Sequence, residues 1–320
     1  MSCQSINESV TRNQALLAAL AGPAPAMSIL TPCFRYDPSA LTQALARQEG
    51  VASGAIEFIL LDDGSQDPRL TATLQSAVLS LPFPAAFIDR RENAGRAGAR
   101  NRLTSFARAR HWLMLDADMI PDRTDFVARW LKEIEDNDPG VSFGGFSVEQ
   151  AHADRETALH KFLAQRSDCH PAAARALHPA LSLATSNLLV RSDVLERAAF
   201  DEEFSGWGWE DVEWAIRVSA FTQVRHIDNS ATHAGLDRTE TLLRKFNEAG
   251  PNYRRLCQRH PDVAQSFPSH KAARVLRAIP GQKLLRPVWA AVARLKSAPM
   301  IARHAGLKLY RTSIYAEHLP

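Results

Sequence analysis

Residues Ile56–Ser65 read IEFILLDDGS, and residues His111–Asp118 read HWLMLDAD. Each is an apolar run that stops on two carboxylates. A strand with one wet face alternates apolar and polar residues, whereas a continuous run such as IEFILLD fits a strand buried on both faces, as in a parallel sheet. Working outward, Ser28–Cys33 and Ala85–Asp89 read as further strands. Helical spacing at about Pro68–Leu79 and Gly95–Ala109 fills the gaps. Another helix begins at Asp37-Pro38-Ser39, with Asp37 as N-cap, and runs to about Glu49. The order β-α-β-α-β-α-β predicts an α/β fold with a mostly parallel, doubly wound, Rossmann-like sheet and right-handed crossovers. Ligands of such sheets bind beyond the carboxyl ends of the strands, so Asp62-Asp63 and Asp116-Ala117-Asp118 are expected to share one cleft.

The residue types at these strand ends carry chemistry. Mg²⁺ and Mn²⁺ take oxygen ligands and can bridge a carboxylate to phosphate oxygens, and the small Ala117 between Asp116 and Asp118 permits close approach. An acidic strand-to-loop turn gives the same three letters. Gly64 allows a tight turn after Asp62-Asp63, whose carboxylates can accept hydrogen bonds from a base or ribose or simply close an Asx turn. The glycine-containing segment Glu92–Arg102 opens a helix, where free N–H groups with Arg96 and Arg100 can face phosphates. A basic helix for RNA is disfavoured, because no aromatic residues interleave with the arginines.

The second half is less regular. Ser182–Val190 reads as a strand, Ser192 as a cap, Glu210–Ala220 as a helix and Gln223–Ile227 as a last strand. Its most distinctive stretch is Gly206–Trp214, GWGWEDVEW. Trp207 and Trp209 offer flat faces suited to a sugar ring, and Glu210-Asp211 stand at a helix N-terminus, where acids are favoured in any case. Trp214 reads as core. His233 follows a strand and is open to either a packing or a ligand role.

Composition bounds the rest. The chain has 320 residues, 45% hydrophobic and 23% charged, and its four cysteines are scattered with no CxxC pair. Reduced thiols in a cytoplasmic protein are the simplest expectation, with no zinc site or disulfide framework. Residues 1–26 read as an amphipathic helix or loosely packed arm without an export signal, and no apolar run approaches the ~20 residues that span a bilayer. Between Val263 and Tyr315 there is no Asp or Glu, while ten Lys and Arg lie between Lys271 and Arg311. The rest of the chain is therefore net acidic, and the boundary falls near His260-Pro261.

The order DDGS, NAGRAGARN, DAD, SN and GWGWEDVEW resembles the family 2 glycosyltransferases with the GT-A fold, over roughly Met27–His233. The last segment with its downstream histidine is particularly similar to bacterial chondroitin-type polymerases and to animal galactosyl- and N-acetylgalactosaminyltransferases. The resemblance implies that Thr31, Pro32, Asp62, Asp63, Asn93, Arg100, Asp116 and Ala117 serve the donor nucleotide, with Thr31 and Asp62 at the uridine. It implies that Asp118 and His233 hold Mn²⁺ or Mg²⁺ and that Asp211 is the catalytic base. Asn187, Trp207, Gly208, Trp209 and Glu210 would line the acceptor and sugar pocket. The expected enzyme is an inverting hexosyltransferase that moves a sugar from a UDP-sugar to a saccharide or lipid-linked acceptor in bacterial surface-polysaccharide synthesis. Residues 27–260 would form the catalytic domain, divided at about residue 120 into nucleotide-binding and acceptor halves. Residues 261–320 would form a basic helical extension, either packed on the domain or in peripheral contact with the inner face of the plasma membrane. Nucleic acid is not an expected partner. Two departures stand out: Thr185-Ser186-Asn187 lacks the glycine that relatives carry before the Asn, and no QxxRW element follows. With a single domain, this favours transfer of one sugar over polymerisation. The rival readings are a metal-dependent nucleotidyltransferase and a non-catalytic nucleotide- or carbohydrate-binding module.

Overall fold

The structure is a computed structural model, and it describes residues 8–52 and 54–320. The first seven residues of the expected N-terminal arm lie outside the described residues. The strands are β1 (Glu8–Arg12), β2 (Met27–Cys33), β3 (Ile56–Asp62), β4 (Ala85–Arg90), β5 (His111–Leu115), β6 (Met119–Pro121), β7 (Val141–Phe143), β8 (Phe146–Ser147), β9 (Asn187–Arg191), β10 (Val224–His226) and β11 (Ala231–His233). Every residue of β3 is buried, as its unbroken apolar run requires. It lies inside an eight-stranded sheet of order β1-β4-β3-β2-β5-β9-β7-β10. β2, β3, β4 and β5 pair in parallel.

Alternate residues of these strands feed two cores. Leu30, Ile59, Leu61, Ile88 and Met114 pack on one face with Leu103 and Trp214. Ile29, Phe58, Leu60 and Leu113 pack on the other with Leu41, Leu74, Val78 and Trp130. The Pro68–Leu79 helix starts as its letters dictate, with Asp67 Oδ1 accepting from the N–H groups of Arg69 (2.9 Å) and Leu70 (3.2 Å).

Several elements differ from expectation for identifiable reasons. From Glu8 onward the arm is neither loose nor wholly helical: β1 pairs antiparallel with β4 and covers the sheet edge. Asn13 then anchors the turn that follows, donating to the carbonyls of Leu81 and Phe83 and accepting from the N–H groups of Leu16 and Ala85. The Gly95–Thr104 helix stops short of Ala109 because the Arg108 and Ala109 N–H groups leave it for Glu57 and Ser28 side chains in the sheet. β9 begins at Asn187, not Ser182, and runs antiparallel between β5 and β7. A small second sheet, β6-β11-β8, was not legible because each of its strands has three residues or fewer, too few to show a period.

The acid-free segment packs on the body. Its last helix, Met300–His318, lies against the Thr239–Arg259 helix, where a Cβ on Gly250 would stand 2.6 Å from the His318 ring. Tyr315 stacks on Tyr253 with ring centres 4.3 Å apart, and both share a core with Phe204 and Phe267.

Candidate active site

β2 and β3 end side by side, with Cys33 opposite Asp62. Thr31 and Asp62 are wholly buried on the same sheet face. Asp62 Oδ1 accepts from the Ser65 N–H (3.2 Å) and the Ser65 hydroxyl. Its Oδ2 and Thr31 Oγ1 have no partner among the described residues. Burial lifts the Asp62 carboxyl above its ordinary range, against the pull of the Ser65 bonds. Buried oxygens without partners are costly, and neither Thr31 nor Asp62 lines the cleft that Asp116 and Asp118 line.

Asp63 turns the other way. Its carboxylate accepts from the N–H groups of Ala94 (3.1 Å) and Gly95 (3.0 Å) and from Arg90 (3.0 Å). Asn93 Nδ2 donates to the Asp63 carbonyl at 2.8 Å. Gly64 makes this possible at φ +79°, where a Cβ would stand 2.7 Å from the Asn93 nitrogen. The N–H groups expected to await phosphate at this helix start are therefore taken by Asp63. Asp63 and Asn93 fix the helix on the sheet; neither lines the cleft.

That helix aims two arginines at the second acidic cluster. The buried Arg100 donates to Asp116 Oδ1 at 2.6 Å. Arg96 donates through Nε to Glu210 Oε1 at 2.6 Å, and its Nη2 lies 3.6 Å from Asp116 Oδ2. One guanidinium thus ties the end of β5 to the start of the Glu210–Val218 helix. Burial works against the Arg96 charge, and the carboxylates of Glu210, Asp116 and Asp211 more than reverse that, so it stays a fixed cation. Glu210 is consumed by this pair, which leaves Asp211 as the acid that opens on the cleft. Desolvation there, with the charge of Glu210, pushes the Asp211 carboxyl up to about 7 against the attraction of Arg96.

Asp118 meets His233 because β11 pairs antiparallel with β6, placing His233 opposite Met119. Asp118 Oδ2 and His233 Nε2 are 3.1 Å apart. A Cβ on Gly235 would fall 2.1 Å from that oxygen, so only glycine fits beside it. Burial opposes both charges. The attraction between them prevails, holding the Asp118 carboxyl down and the His233 imidazole up.

These groups line a cleft of about 390 Å³ with Arg96, Asp116, Trp207, Lys245, Phe246 and Arg311. Lys245, Phe246 and Arg311 were not singled out in the sequence. They come from helices whose letters look like solvated faces, and only the packing of the Met300–His318 helix brings Arg311 over the Phe246 ring, at 5.3 Å. His160 is another addition. It packs edge-on to His233 at 5.4 Å and accepts from the Asp237 N–H at 2.7 Å. Burial and the neighbouring His233 charge take its pKa down to about 4, so it is neutral.

The tryptophan pair divides. Trp207 stays on the cleft wall, edge-on to Phe246 at 5.8 Å. Trp209 does not: it turns into the aromatic cluster of the C-terminal helices, stacked on Phe267 at 6.2 Å and 5.1 Å from Tyr253. Gly206, Gly208 and Trp209 all have positive φ, and Asn252 clamps the turn by donating to the carbonyls of Ser205 (2.9 Å) and Gly208 (3.0 Å). A tryptophan in that conformation carries strain of about 1–2 kcal/mol, which its packing must exceed. Trp209→Ala is therefore expected to cost about 3 kcal/mol or more of stability, read by urea unfolding. Trp207→Ala, at a side chain that packs on Phe246 at the cleft wall, should cost less stability and alter substrate affinity as well. Equal effects of the two on stability would contradict this division.

Asn187 is likewise architectural. Its Nδ2 donates to the carbonyls of Gly145 and Asn229, both at 2.8 Å, and it is wholly buried away from the cleft. Pro32 and Ala117 sit at the ends of β2 and β5, where their contribution is backbone shape and small size.

The cation site can be tested on its donors. Asp118 and His233 carry an oxygen and a nitrogen donor that a divalent cation accepts, and their 3.1 Å contact is a hydrogen-bonded ion pair that a cation would replace. Among the described residues no three His, Cys, Asp or Glu side chains gather as a ready-made site. The protein thus offers two donors of suitable type, and diphosphate oxygens and water would complete the shell.

Against this geometry the chain matches the profile of glycosyl transferase family 2 over residues 28–197. The chain belongs to that family. The match ends before Asp211 and His233, whose roles rest on geometry and resemblance. An N-acetylglucosaminyltransferase from Bradyrhizobium elkanii is 27% identical over 124 residues, which is 38% of this chain. The chain spans 65% of the length of that relative. Among solved structures, the mannosyltransferase PcManGT from Pyrobaculum calidifontis, in complex with GDP-Man and Mn²⁺, is similar with a TM-score of 0.60 at 14% identity. The alignment covers 92% of this chain and 87% of that one. S. aureus TarS 1–349, in complex with UDP-GlcNAc, is similar with a TM-score of 0.50 at 13% identity over 90% of each chain. At these identities the likeness is one of fold, and the fold is GT-A.

Proposed function

We propose that this glycosyltransferase moves one sugar from a UDP-sugar to a hydroxyl of a saccharide or lipid-linked saccharide acceptor, with inversion, in bacterial surface-polysaccharide synthesis. The observation that carries this reading is that Asp211, its carboxyl near 7, opens on the same cleft as the Asp118–His233 pair. Thr31 and Asp62, with their unpartnered buried oxygens, would receive the uracil end of the donor. Asp116, oriented by Arg100 and Arg96, would receive the ribose. Asp211 takes the proton of the acceptor hydroxyl as its oxygen bonds to the anomeric carbon. The bond from that carbon to the diphosphate breaks, and its electron pair leaves with the diphosphate. A single displacement turns a UDP-α-sugar into a β-linked product, with none of the second carboxylate and water that a retaining hydrolase needs. A divalent cation held by Asp118 and His233 would supply positive charge for the departing diphosphate. Arg96 adds a cation that needs no metal.

UDP is favoured by the resemblance and by the UDP-GlcNAc complex of a neighbour, although GDP-Man in another shows that the fold takes either base. No helix among the described residues is long and apolar enough to cross a membrane. We place the enzyme in the cytoplasm, in peripheral contact with the inner face of the plasma membrane, where lipid-linked acceptors are found. The test is a panel of UDP-, GDP- and dTDP-sugars with purified protein, scored by nucleotide release with Mn²⁺ and with EDTA. Release from UDP donors that EDTA abolishes is expected. Turnover confined to GDP or dTDP donors, turnover indifferent to EDTA, or an α-linked product from an α-donor would each overturn the corresponding part.

A further inference from the structure

The acid-free segment packs one side on the catalytic body and leaves the other bare. Over fourteen residues it exposes Val275 (70%), Ile279, Leu284 (81%), Leu285 and Val288. Packing has no use for these side chains, because the core side of the same segment is filled by Ala273, Ala290 and Ala293. Ile279, Leu284 and Leu285 lie in the turn between the Pro268–Arg277 and Arg286–Arg294 helices, which carry Val275 and Val288. Gly281, at φ +73°, reverses the chain there, and the Leu284 side chain folds back to 3.8 Å from where a Gly281 Cβ would be. Ile279, Pro280 and Leu284 border the same surface hollow with Arg277 and Lys283.

The charges around this corner are not all equally free. Lys283 and Arg286 are held by Glu317, Arg294 by Glu240 and Lys296 by Glu156. Lys271 and Arg274 are exposed and have no carboxylate within ion-pair distance among the described residues. An exposed apolar turn near uncompensated cations matches a surface that is anionic outside and apolar beneath. A folded protein partner would have to supply both an apolar socket and acidic groups in register. A bilayer supplies both everywhere.

We propose that the Val275–Val288 corner inserts into the headgroup region of an anionic lipid bilayer, with Lys271 and Arg274 on the lipid phosphates. This rests on the peripheral location proposed above and specifies the residues and the lipid charge. The corner is braced to the cleft. Arg286 donates to Ser313 Oγ and to the Ser313 carbonyl, both at 2.7 Å, and Ser313 sits on the helix that carries Arg311 to the cleft wall. Docking there would hold the cleft at a fixed attitude to the bilayer, suited to an acceptor anchored in it.

Co-sedimentation with vesicles of phosphatidylcholine alone and with one third phosphatidylglycerol tests this on the full chain. Wild-type protein is expected to pellet with the anionic vesicles and to be released by high salt. At low salt, Leu284→Asp with Leu285→Asp should reduce binding to the anionic vesicles tenfold or more, and Lys271→Gln with Arg274→Gln should reduce it on anionic vesicles alone. All these positions are exposed, so circular dichroism and metal-dependent nucleotide release in vesicle-free solution should match wild type. Wild type remaining in the supernatant, or both double variants pelleting like wild type, overturns the proposal. So does self-association in sedimentation velocity that the leucine pair abolishes, since the corner would then be a contact between copies. Loss of nucleotide release in every form would instead point to failure of the catalytic reading.

Discussion

Asp211→Asn is expected to lower the transfer rate by about three orders of magnitude or more while leaving donor affinity within about twofold, since removing a positioned general base costs typically 10²–10⁴. The argument is geometric before it is electrostatic. Asp211 and Glu210 are neighbours in sequence and share a helix start, yet Arg96 binds Glu210 and Asp116 and leaves Asp211 facing the cleft. Asn keeps the size and the bond from the Val212 N–H, so the wall is preserved and only the proton acceptor is lost. Calorimetric titration of UDP with Mn²⁺ measures the binding half, and nucleotide release in the presence of an acceptor measures the other. A variant that retains a tenth of wild-type turnover would move the base elsewhere.

The same group sets a pH dependence. Burial and Glu210 raise the Asp211 carboxyl to about 7, so the basic form is present above that value and is lost below it. Turnover in wild type should fall about tenfold per pH unit on the acid side of 7, and this limb should vanish from the residual activity of Asp211→Asn. The sign for stability is opposite to that for rate. Between the ordinary carboxylate value of about 4 and about 7, the folded chain keeps a proton that the unfolded chain has released. Stability therefore falls as pH rises through that window, and Asp211→Asn is expected to melt higher than wild type at pH 8, with the difference fading towards pH 4. A variant less stable than wild type at pH 8 would mean that the carboxylate is better satisfied than its surroundings indicate.

Much of the framework was legible because it rests on periodicity and punctuation. The run Ile56–Asp62 gave a buried strand with correct ends, whereas the helix read from Asp37 to about Glu49 spans only Ser39–Ala46, with Pro38 at its cap position. The two acidic strand ends were expected to share one cleft; Asp116 and Asp118 line it, whereas Asp62 and Asp63 do not. What escaped depends on which of two adjacent side chains a distant element claims. Nothing local distinguishes Asp62 from Asp63. The difference is made by the helix start at Ala94-Gly95, which takes Asp63 and leaves Asp62 an unpartnered oxygen. Trp207 and Trp209 are equally ambiguous until Phe267 and Tyr315 arrive from the far end of the chain. Arg311 was hidden for the same reason. Its segment was read as a charge asymmetry, whereas its inner face completes the cleft.

Asp118→Asn is expected to weaken metal-dependent donor binding by about tenfold to a hundredfold, with little effect on binding of the nucleotide without metal. One oxygen of Asp118 stands 3.1 Å from His233 Nε2, an ion pair whose two side chains a divalent cation could take as ligands in place of the shared proton. An amide keeps the shape but presents a neutral oxygen, or an N–H₂ that cannot ligate at all. Asp116→Asn provides the contrast, because Asp116 is engaged by Arg100 at 2.6 Å and by Arg96. Its loss should weaken nucleotide binding whether or not Mn²⁺ is present. Gly235→Ala separates position from charge. It retains the carboxylate, but its methyl group would occupy the place of Asp118 Oδ2, at 2.1 Å, so the carboxylate must move off His233. Calorimetry of UDP with and without Mn²⁺ across the three variants reads the outcome. Asp118→Asn and Gly235→Ala should both lose the metal increment and keep the metal-free affinity. If Gly235→Ala binds UDP and Mn²⁺ as wild type does, the site does not depend on the Asp118–His233 pairing, and the cation must be held elsewhere in the cleft.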